Sequence, residues 1–503
     1  MTANVSGRFV VILAWTASVG FSGCFADVGT RLETESQHTA AIRHATVYEE
    51  KGRFCGWPAN NGAWSWGDEI LVCFDLHHFK EPDFDIDPTD HHRDPDKPTE
   101  IVMARSLDGG RTWNLERPEA FSPAHKDDQA KPAPGDINFT HPDFALRART
   151  DKFHISYDRG KTWQGPYLIG DFGRRLGART DYIVNGKDDC MLFFSTAGQP
   201  MCVRTTDSGK TFNRICDSIT PGAKARPIMP STARISDTAL VSAVRMLKGE
   251  PYVSWIDVYQ SSDNGKTWQF LSKVADADDK YWNGNPPSLV RLADGRLCIT
   301  YGYRAVPYGI RAKLSSDNGK TWGNEIILRE DGRNWDLGYS RTVQRTDGKL
   351  VTMYYFSTED EPHQRIMATI WDPDTVTTRS VDAKALDDIA DHIDGIEQAI
   401  TQIDNLSAGK VESVNPLVAQ FKIKEKHCDR IRKIVAYHFM SQRLKPPAES
   451  DKAAYQKYLD QVTLLQRLLY YNMQAKKTND LSHVHQMRSV LSRFRQVYSD
   501  PNS

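Results

Sequence analysis

The chain has 503 residues and a formal net charge of −1, from 64 Lys and Arg against 65 Asp and Glu. That length accommodates two domains, and the balanced charge gives no reason to expect a nucleic acid or an anionic membrane surface as partner. Aromatic residues are slightly rich, at 10%.

At the N-terminus Arg8 precedes an apolar run from Phe9 to about Phe21, and small residues follow up to Ala26. The run is too short for a comfortable transmembrane span, and residues 1–26 read as a secretory signal. The stretch FSGC, Phe21–Cys24, is also similar to a bacterial lipobox with Phe in place of the usual Leu, which makes Cys24 an alternative lipid anchor. Either reading places the mature chain outside the cell, in the periplasm or on the cell surface. Residues 27–44 read as an irregular leader. Seven cysteines remain after Ala26, so at least one is unpaired, and their spacing does not match a zinc site. Cys190 and Cys202 are placed to bridge neighbouring strands in an oxidising compartment; buried free thiols are the alternative.

Residues 45–380 are governed by a repeat. SLDGGRTW starts at Ser106, SYDRGKTW at Ser156, TTDSGKTF at Thr205, and SSDNGKTW at both Ser261 and Ser315. Successive starts are 50, 49, 56 and 54 residues apart, a period that marks a repeat architecture with one four-stranded sheet per repeat. Each box describes a hairpin turn: the Asp side chain binds backbone N–H groups further on, the Gly supplies φ > 0, and the Trp or Phe begins a strand. Upstream hairpins such as RLADGRLCITYGYR (Arg291–Arg304) and QRTDGKLVTMYYF (Gln344–Phe356) complete four strands. Six repeats are expected, the sixth (Tyr339–Asp374) without a box, and Ala45–Gly52 offers a strand to close the ring. The second repeat is compressed, with only Phe139–Phe153 before its third strand.

One segment inside the first repeat is unusually long. It runs DLHHFKEPDFDIDPTDHHRDPDKPTE and carries seven aspartates and four histidines. Loops of this length are usually functional or disordered. His77, His78, His91 and His92 raise a metal as an alternative, but adjacent loop histidines usually face solvent, and no metal or cofactor is expected. Just upstream, Trp57, Trp64 and Trp66 cluster with Asn60 and Asn61. Aromatic faces stack on sugar rings and the amides bind hydroxyls, so Trp57 and Asn60 are candidate carbohydrate contacts; sheet-core tryptophans are the plainer reading.

Residues 383–503 change period. Leu386, Ile389, Ile393, Ile396, Ile400 and Ile403 alternate steps of three and four, a helical seam. Similar spacing over 417–440, 455–473 and 481–498 predicts a four-helix antiparallel α-helical bundle, its stripes forming an internal core or, alternatively, a face for self-association.

The Ser/Thr-x-Asp-x-Gly-x-Thr-Trp/Phe boxes are those of the Asp-box, or BNR-repeat, β-propellers, and the chain most resembles the sialidase (neuraminidase) superfamily. The resemblance implies an all-β six-bladed propeller, sialidase-like, with boxes on the rim and a site at one mouth of the channel. It implies a loop Asp before the first box as acid/base, a slot filled by Asp94, with Asp96 close by. It implies a nucleophilic Tyr ending the strand after an Asp-Gly turn, which puts Tyr354 in that role. A phenol suits a sugar bearing a carboxylate, since a carboxylate nucleophile would be repelled. It also implies three arginines clamping the substrate. Arg53, Arg304 and Arg341 fit, while Arg179 and Arg245 lie on other inner strands, and the choice among the five stays open. The chain departs from the family at three places: Tyr355 follows Tyr354 where a Glu is usual, Pro286 stands about where the Tyr-activating Glu belongs, and Gly56 occupies the first arginine's slot. The function implied is a secreted sialidase-like glycoside hydrolase, retaining, acting on an anionic or unusual sugar. The alternatives are a non-catalytic carbohydrate-binding propeller and a propeller polysaccharide lyase.

Overall fold

The computed structural model describes residues 42–83, 90–122, 130–172, 176–196, 199–249, 253–278, 284–375, 381–408, 415–448 and 450–499. The expected signal segment, Cys24 and most of the leader lie outside them. The strands form six sheets, the blades of a six-bladed β-propeller. Blade four shows the regular plan: Arg226–Arg234 innermost, then Leu240–Lys248, Val253–Ser261 and Gln269–Asp278, each antiparallel to the last.

The boxes are the turns between third and outer strands, and their chemistry is local. Ser261 Oγ accepts from Gly265 N at 2.8 Å and donates to Asp263 Oδ1 at 2.8 Å. Asp263 in turn accepts from Thr267 N at 2.9 Å and Thr267 Oγ1 at 2.6 Å. Trp268 Nε1 donates to Gly265 O at 2.9 Å, which holds the indole against the blade. The core lies between blades: Met191, Phe193 and Cys202 of blade three pack on Leu240, Val244 and Met246 of blade four.

Two blades are irregular. In blade one the inner position is split into Arg53–Gly56 and Ala63–Trp66, both paired with Glu69–His78, around a one-turn helix α1 (Pro58–Asn61). Blade two has three strands rather than four, Ala145–Arg149, Lys152–Ser156 and Gln164–Leu168, and α1 packs on its first strand. Blade six closes the ring: Ile42–Tyr48 pairs antiparallel with Arg365–Trp371, outside Leu350–Phe356 and Gly338–Gln344. An otherwise open sheet edge is thereby covered.

The C-terminal part is a helical bundle of α2 (Val381–Ala408), α3 (Asn415–Lys433, continued by a π-helical stretch Ile434–Arg443), α4 (Lys452–Lys477) and α5 (Leu481–Ser499). The isoleucine seam is buried: Ile389, Ile393, Ile396 and Ile400 pack with Cys428, Ile431, Leu465, Leu468 and Met487. No described helix is long and apolar enough to cross a membrane.

Of the two alternatives for Cys190 and Cys202, buried free thiols hold rather than a bridge. Register decides it, because Cys190 lies opposite Thr205 and Cys202 opposite Phe193. Cys202 Sγ instead lies 3.7 Å from Cys216 Sγ, and all seven described cysteines are free and buried.

Candidate site at the channel mouth

Three inner strands are bulged near their first residues: between Ala178 and Tyr182, between Ile228 and Ser231, and between Gly338 and Arg341. A bulge breaks the two-residue alternation and re-aims side chains, a device common beside functional sites. Met229 and Tyr339 sit in these bulges with φ of 57° and 49°, a conformation that non-glycine residues adopt at a cost of order 1–3 kcal/mol. Asn285 Oδ1 steadies the third bulge by accepting from Tyr339 N at 2.6 Å.

The bulges gather guanidinium groups. Arg179 is 2% exposed and donates Nη1 to Met229 O at 3.3 Å; its Nε and Nη2 have no hydrogen-bond partner among the described residues. Arg341 donates Nη2 to Ala59 O at 2.9 Å and to Thr180 O, its Nη1 lies 3.7 Å from Asp181 Oδ1, and its Nε is unpartnered. Arg245 donates Nη1 to the Tyr339 hydroxyl at 3.3 Å. Arg304 donates Nη2 to the Tyr355 hydroxyl at 2.8 Å and lies over the rings of Trp335 and Tyr339 at 5.1 and 5.6 Å. Burial lowers the Arg179 guanidinium to about 9, and the nearby Arg341 charge adds to that. Burial likewise raises the Asp181 carboxyl to about 6, against the pull of Arg341 and Arg179.

A second cluster adjoins the first. Asp336 is fully buried; it accepts from the Tyr355 hydroxyl at 2.7 Å and from His92 N at 3.0 Å. His91 Nδ1 stands 2.6 Å from Asp336 Oδ1, and His92 Nδ1 stands 2.9 Å from Oδ2. Burial would raise the Asp336 carboxyl, but the two imidazoles outweigh it and hold the group well below the usual carboxylate range. The His91 ring is enclosed by Trp57 at 5.1 Å and Trp335 at 5.4 Å. On the blade-two side, Arg147 donates to Asn61 Oδ1 at 2.6 Å, and Asn61 donates to Asp75 Oδ1 at 3.0 Å.

Of the residues singled out in the sequence, Arg179, Arg245, Arg304, Arg341 and Trp57 therefore belong to one connected network. Arg53 stands apart, with Nη2 on Glu100 Oε1 at 2.6 Å and Nε on His77 O at 3.0 Å. Asn60 only closes the turn of α1, donating its backbone N to Trp57 O; its neighbour Asn61 carries the side-chain contacts. Asp94 is a turn residue: its carboxylate accepts from Asp96 N at 3.1 Å and faces Lys97 at 3.7 Å, while its backbone N donates to His78 O. The long loop thus delivers His91 and His92 to the network in its place.

Tyr354 is a correction. Its hydroxyl meets Thr369 Oγ1 at 2.6 Å, and its ring is buried with Leu292, Cys298 and Trp371 between blades five and six. Strand parity is the reason. Tyr355, one residue on, emerges on the opposite face with Phe54 and Tyr339 and reaches Asp336. Tyr339, Asp336 and Asp181 were not singled out in the sequence, His91 was named only as a candidate metal ligand, and Tyr355 only as a departure from the family pattern. GYSRTV was read only for its arginine, although Tyr339 stands in the same stretch.

Residues 184–352 match the BNR repeat-like domain family, and residues 363–501 match the nickel-containing superoxide dismutase family. The second match covers the helical bundle. Among the described residues no group of three or more His, Cys, Asp or Glu side chains could hold a metal. Cys428, the single cysteine of that segment, is buried, and burial pushes its thiol up to about 11. The donor set does not fit a nickel centre. Similar solved structures include a protein of unknown function from Dyadobacter fermentans, 20% identical over 66% of this chain and 98% of that one (TM-score 0.47). A mutant of the NanB sialidase from Streptococcus pneumoniae is 12% identical over 66% and 71% (TM-score 0.45). An alpha-L-arabinanase from Penicillium chrysogenum, solved with arabinobiose, is 15% identical over 65% and 97% (TM-score 0.44). No curated protein matches the chain.

Proposed function

We propose that this six-bladed propeller, whose residues 184–352 match the BNR repeat-like domain family and whose boxes resemble those of the sialidases, is a glycoside hydrolase whose channel mouth takes a sugar bearing a carboxylate. One observation carries this reading: Arg179 and Arg341 are buried side by side with N–H groups that have no acceptor among the described residues. Buried like charges are costly, and a substrate carboxylate would supply the missing acceptors and add to the single countercharge of Asp181. Arg245 completes the clamp and holds the Tyr339 hydroxyl. Tyr339 is the phenol that faces the anomeric carbon in this reading, and Asp181, raised to about 6, is the nearby carboxyl able to change protonation near neutral pH. Trp57, only partly buried, is the indole placed to stack on the sugar. Residues 1–26, as an export signal, would bring the protein to glycans outside the cytoplasm.

A second reading is a carbohydrate-binding propeller without turnover. It is favoured by Tyr339 having Arg245, a donor, and no carboxylate as its hydroxyl partner among the described residues, with Pro286 where an activating Glu is usual. The test is a panel of 4-methylumbelliferyl glycosides, comprising sialosides, uronides and neutral arabinosides, run beside calorimetry with the free acidic sugars. Turnover confined to the acidic members is expected, with KM raised in Arg179→Met. Calorimetric binding without turnover selects the second reading. Turnover of neutral glycosides alone refutes the carboxylate site.

A further inference from the structure

The long loop of blade one brings an imidazole, not an aspartate, to the mouth, and that imidazole is held from one side only. His91 Nδ1 lies 2.6 Å from a carboxylate that is itself 0% exposed, while 19% of the His91 side chain remains exposed. A buried carboxylate on Nδ1 fixes that nitrogen as the N–H and orients the ring, so Nε2 on the far edge carries the exchangeable proton. No hydrogen bond to Nε2 occurs among the described residues. The ring is wedged between the partly buried Trp57 and the buried Trp335, and Arg304 touches both Trp335 and the Tyr355 hydroxyl that binds Asp336. An oriented imidazole beside an accessible indole and an arginine cluster has the components of a general acid/base.

We propose that His91 is the acid/base of this site, with Asp336 as its positioning residue; the proposal rests on the glycoside-hydrolase reading above. His91 gives its Nε2 proton to the aglycone oxygen as the glycosidic C–O bond breaks and the bonding pair moves onto that oxygen. Once the aglycone has left, the neutral ring takes a proton from the water whose oxygen bonds to the anomeric carbon. One water is consumed per bond cleaved, and the imidazolium is restored. The charged and titratable groups around the ring are Asp336 and Tyr355 from blade six, Asp90, His92 and Arg93 from its own loop, His77 from blade one and Arg304 from blade five. Asp90 accepts from the His91 backbone N, and Asp336 is the carboxylate that touches the ring, so Asp336 sets the ring's orientation.

The test compares wild type, His91→Gln, His91→Phe and Asp336→Asn on the acidic sugar that wild type hydrolyses, presented with an aryl and with an alkyl leaving group. His91→Phe keeps the ring between the two indoles, so it answers the question if the Gln variant does not fold. The expected result is a loss of kcat on the alkyl glycoside of about 10²–10⁴-fold in either His91 variant. On the aryl glycoside the loss should stay below about 10-fold, because that leaving group needs little protonation. Binding of the free sugar should be unchanged, and the limb of the kcat pH profile that reports the acid should vanish. Asp336→Asn should lower kcat on the alkyl glycoside while leaving KM and the aryl-glycoside kcat nearly unchanged, a split that a merely structural role would not produce. Wild-type turnover of the alkyl glycoside by His91→Phe overturns the proposal and leaves the glycosidase reading standing. A wild-type protein that cleaves no glycoside sinks both.

Discussion

Arg179 is the residue at which stability and binding should pull apart. Its guanidinium is 2% exposed and has no anionic hydrogen-bond partner among the described residues. Replacing it with Met removes a buried charge and keeps the volume, so Arg179→Met should melt at the same temperature or higher. Affinity for an acidic sugar should fall at least about 10-fold, the loss of one charge-assisted contact. Thermal melting and calorimetry on one sample check both halves. Asp181 and His77 make opposite contributions to the pH dependence of stability. Asp181 is raised by burial to about 6, above its unfolded value, so the folded state binds the extra proton and stability is lost as pH rises from about 4 through 6. His77 is lowered by burial to about 4, so the unfolded state binds the extra proton and stability is lost as pH falls from about 6.5 through 4. Asp181→Asn should therefore gain roughly 1–3 kcal/mol at pH 7 and little at pH 4.5. Urea midpoints at the two pH values measure this; a gain of equal size at both would show that Asp181 is not shifted.

At the scale of the element, the boxes hold the blades through contacts confined to a few residues, and a hairpin glycine and a box glycine separate the two demands that tight turns make. Gly348 has φ of 86° with nothing within 4 Å of an added Cβ, whereas Gly265 has φ of 84° and an added Cβ would lie 3.0 Å from Met191 Cε and 3.3 Å from Cys202 Sγ. Gly348→Ala should cost about 1 kcal/mol, from backbone strain alone. Gly265→Ala should cost more, because the neighbouring blade must give way as well, and the difference between the two denaturation midpoints isolates the crowding. The adjacent tyrosines of blade six make a parallel comparison. Tyr354→Phe removes one hydroxyl contact to Thr369 and should leave sugar binding unchanged, at a stability cost of about 1 kcal/mol. Tyr355→Phe removes the link between Arg304 and Asp336 and should weaken sugar binding.

At the scale of the whole molecule, the ion pairs that join ring and bundle among the described residues are of low worth. Lys426 Nζ lies 3.0 Å from Asp360 and Lys433 Nζ 4.0 Å from Glu359, in both cases with exposed partners. Surface ion pairs of this kind contribute between nothing and about 1 kcal/mol. A chain ended at residue 375 should therefore stay soluble and melt cooperatively, whereas removal of Ile42–Tyr48 should not be tolerated, because it uncovers the edge of Arg365–Trp371. Light scattering of the two truncations decides the matter: aggregation of the first would mean that the helices cover propeller surface the ring needs.

The propeller and the helices were legible in the sequence because the contacts that make them are short in range. Each box closes within four residues, as from Asp263 to Thr267, and the isoleucine seam repeats every three or four. Four of the five candidate arginines and Trp57 join the network, but only Arg179 and Arg341 stand on innermost strands; Arg245, expected on an inner strand, lies on the second strand of blade four, and Arg304 follows the second strand of blade five. What the sequence by itself left open was decided by events between distant segments. His91 meets Asp336 across 245 positions, and Arg341 meets Ala59 across 282. Three bulges reset the parity of the inner strands, and a single step of parity in blade six put Tyr354 between blades five and six and Tyr355 on the opposite face, against Asp336. A side chain's face on a strand depends on register with its neighbour, and a loop's reach depends on what it lands on; ring closure set both.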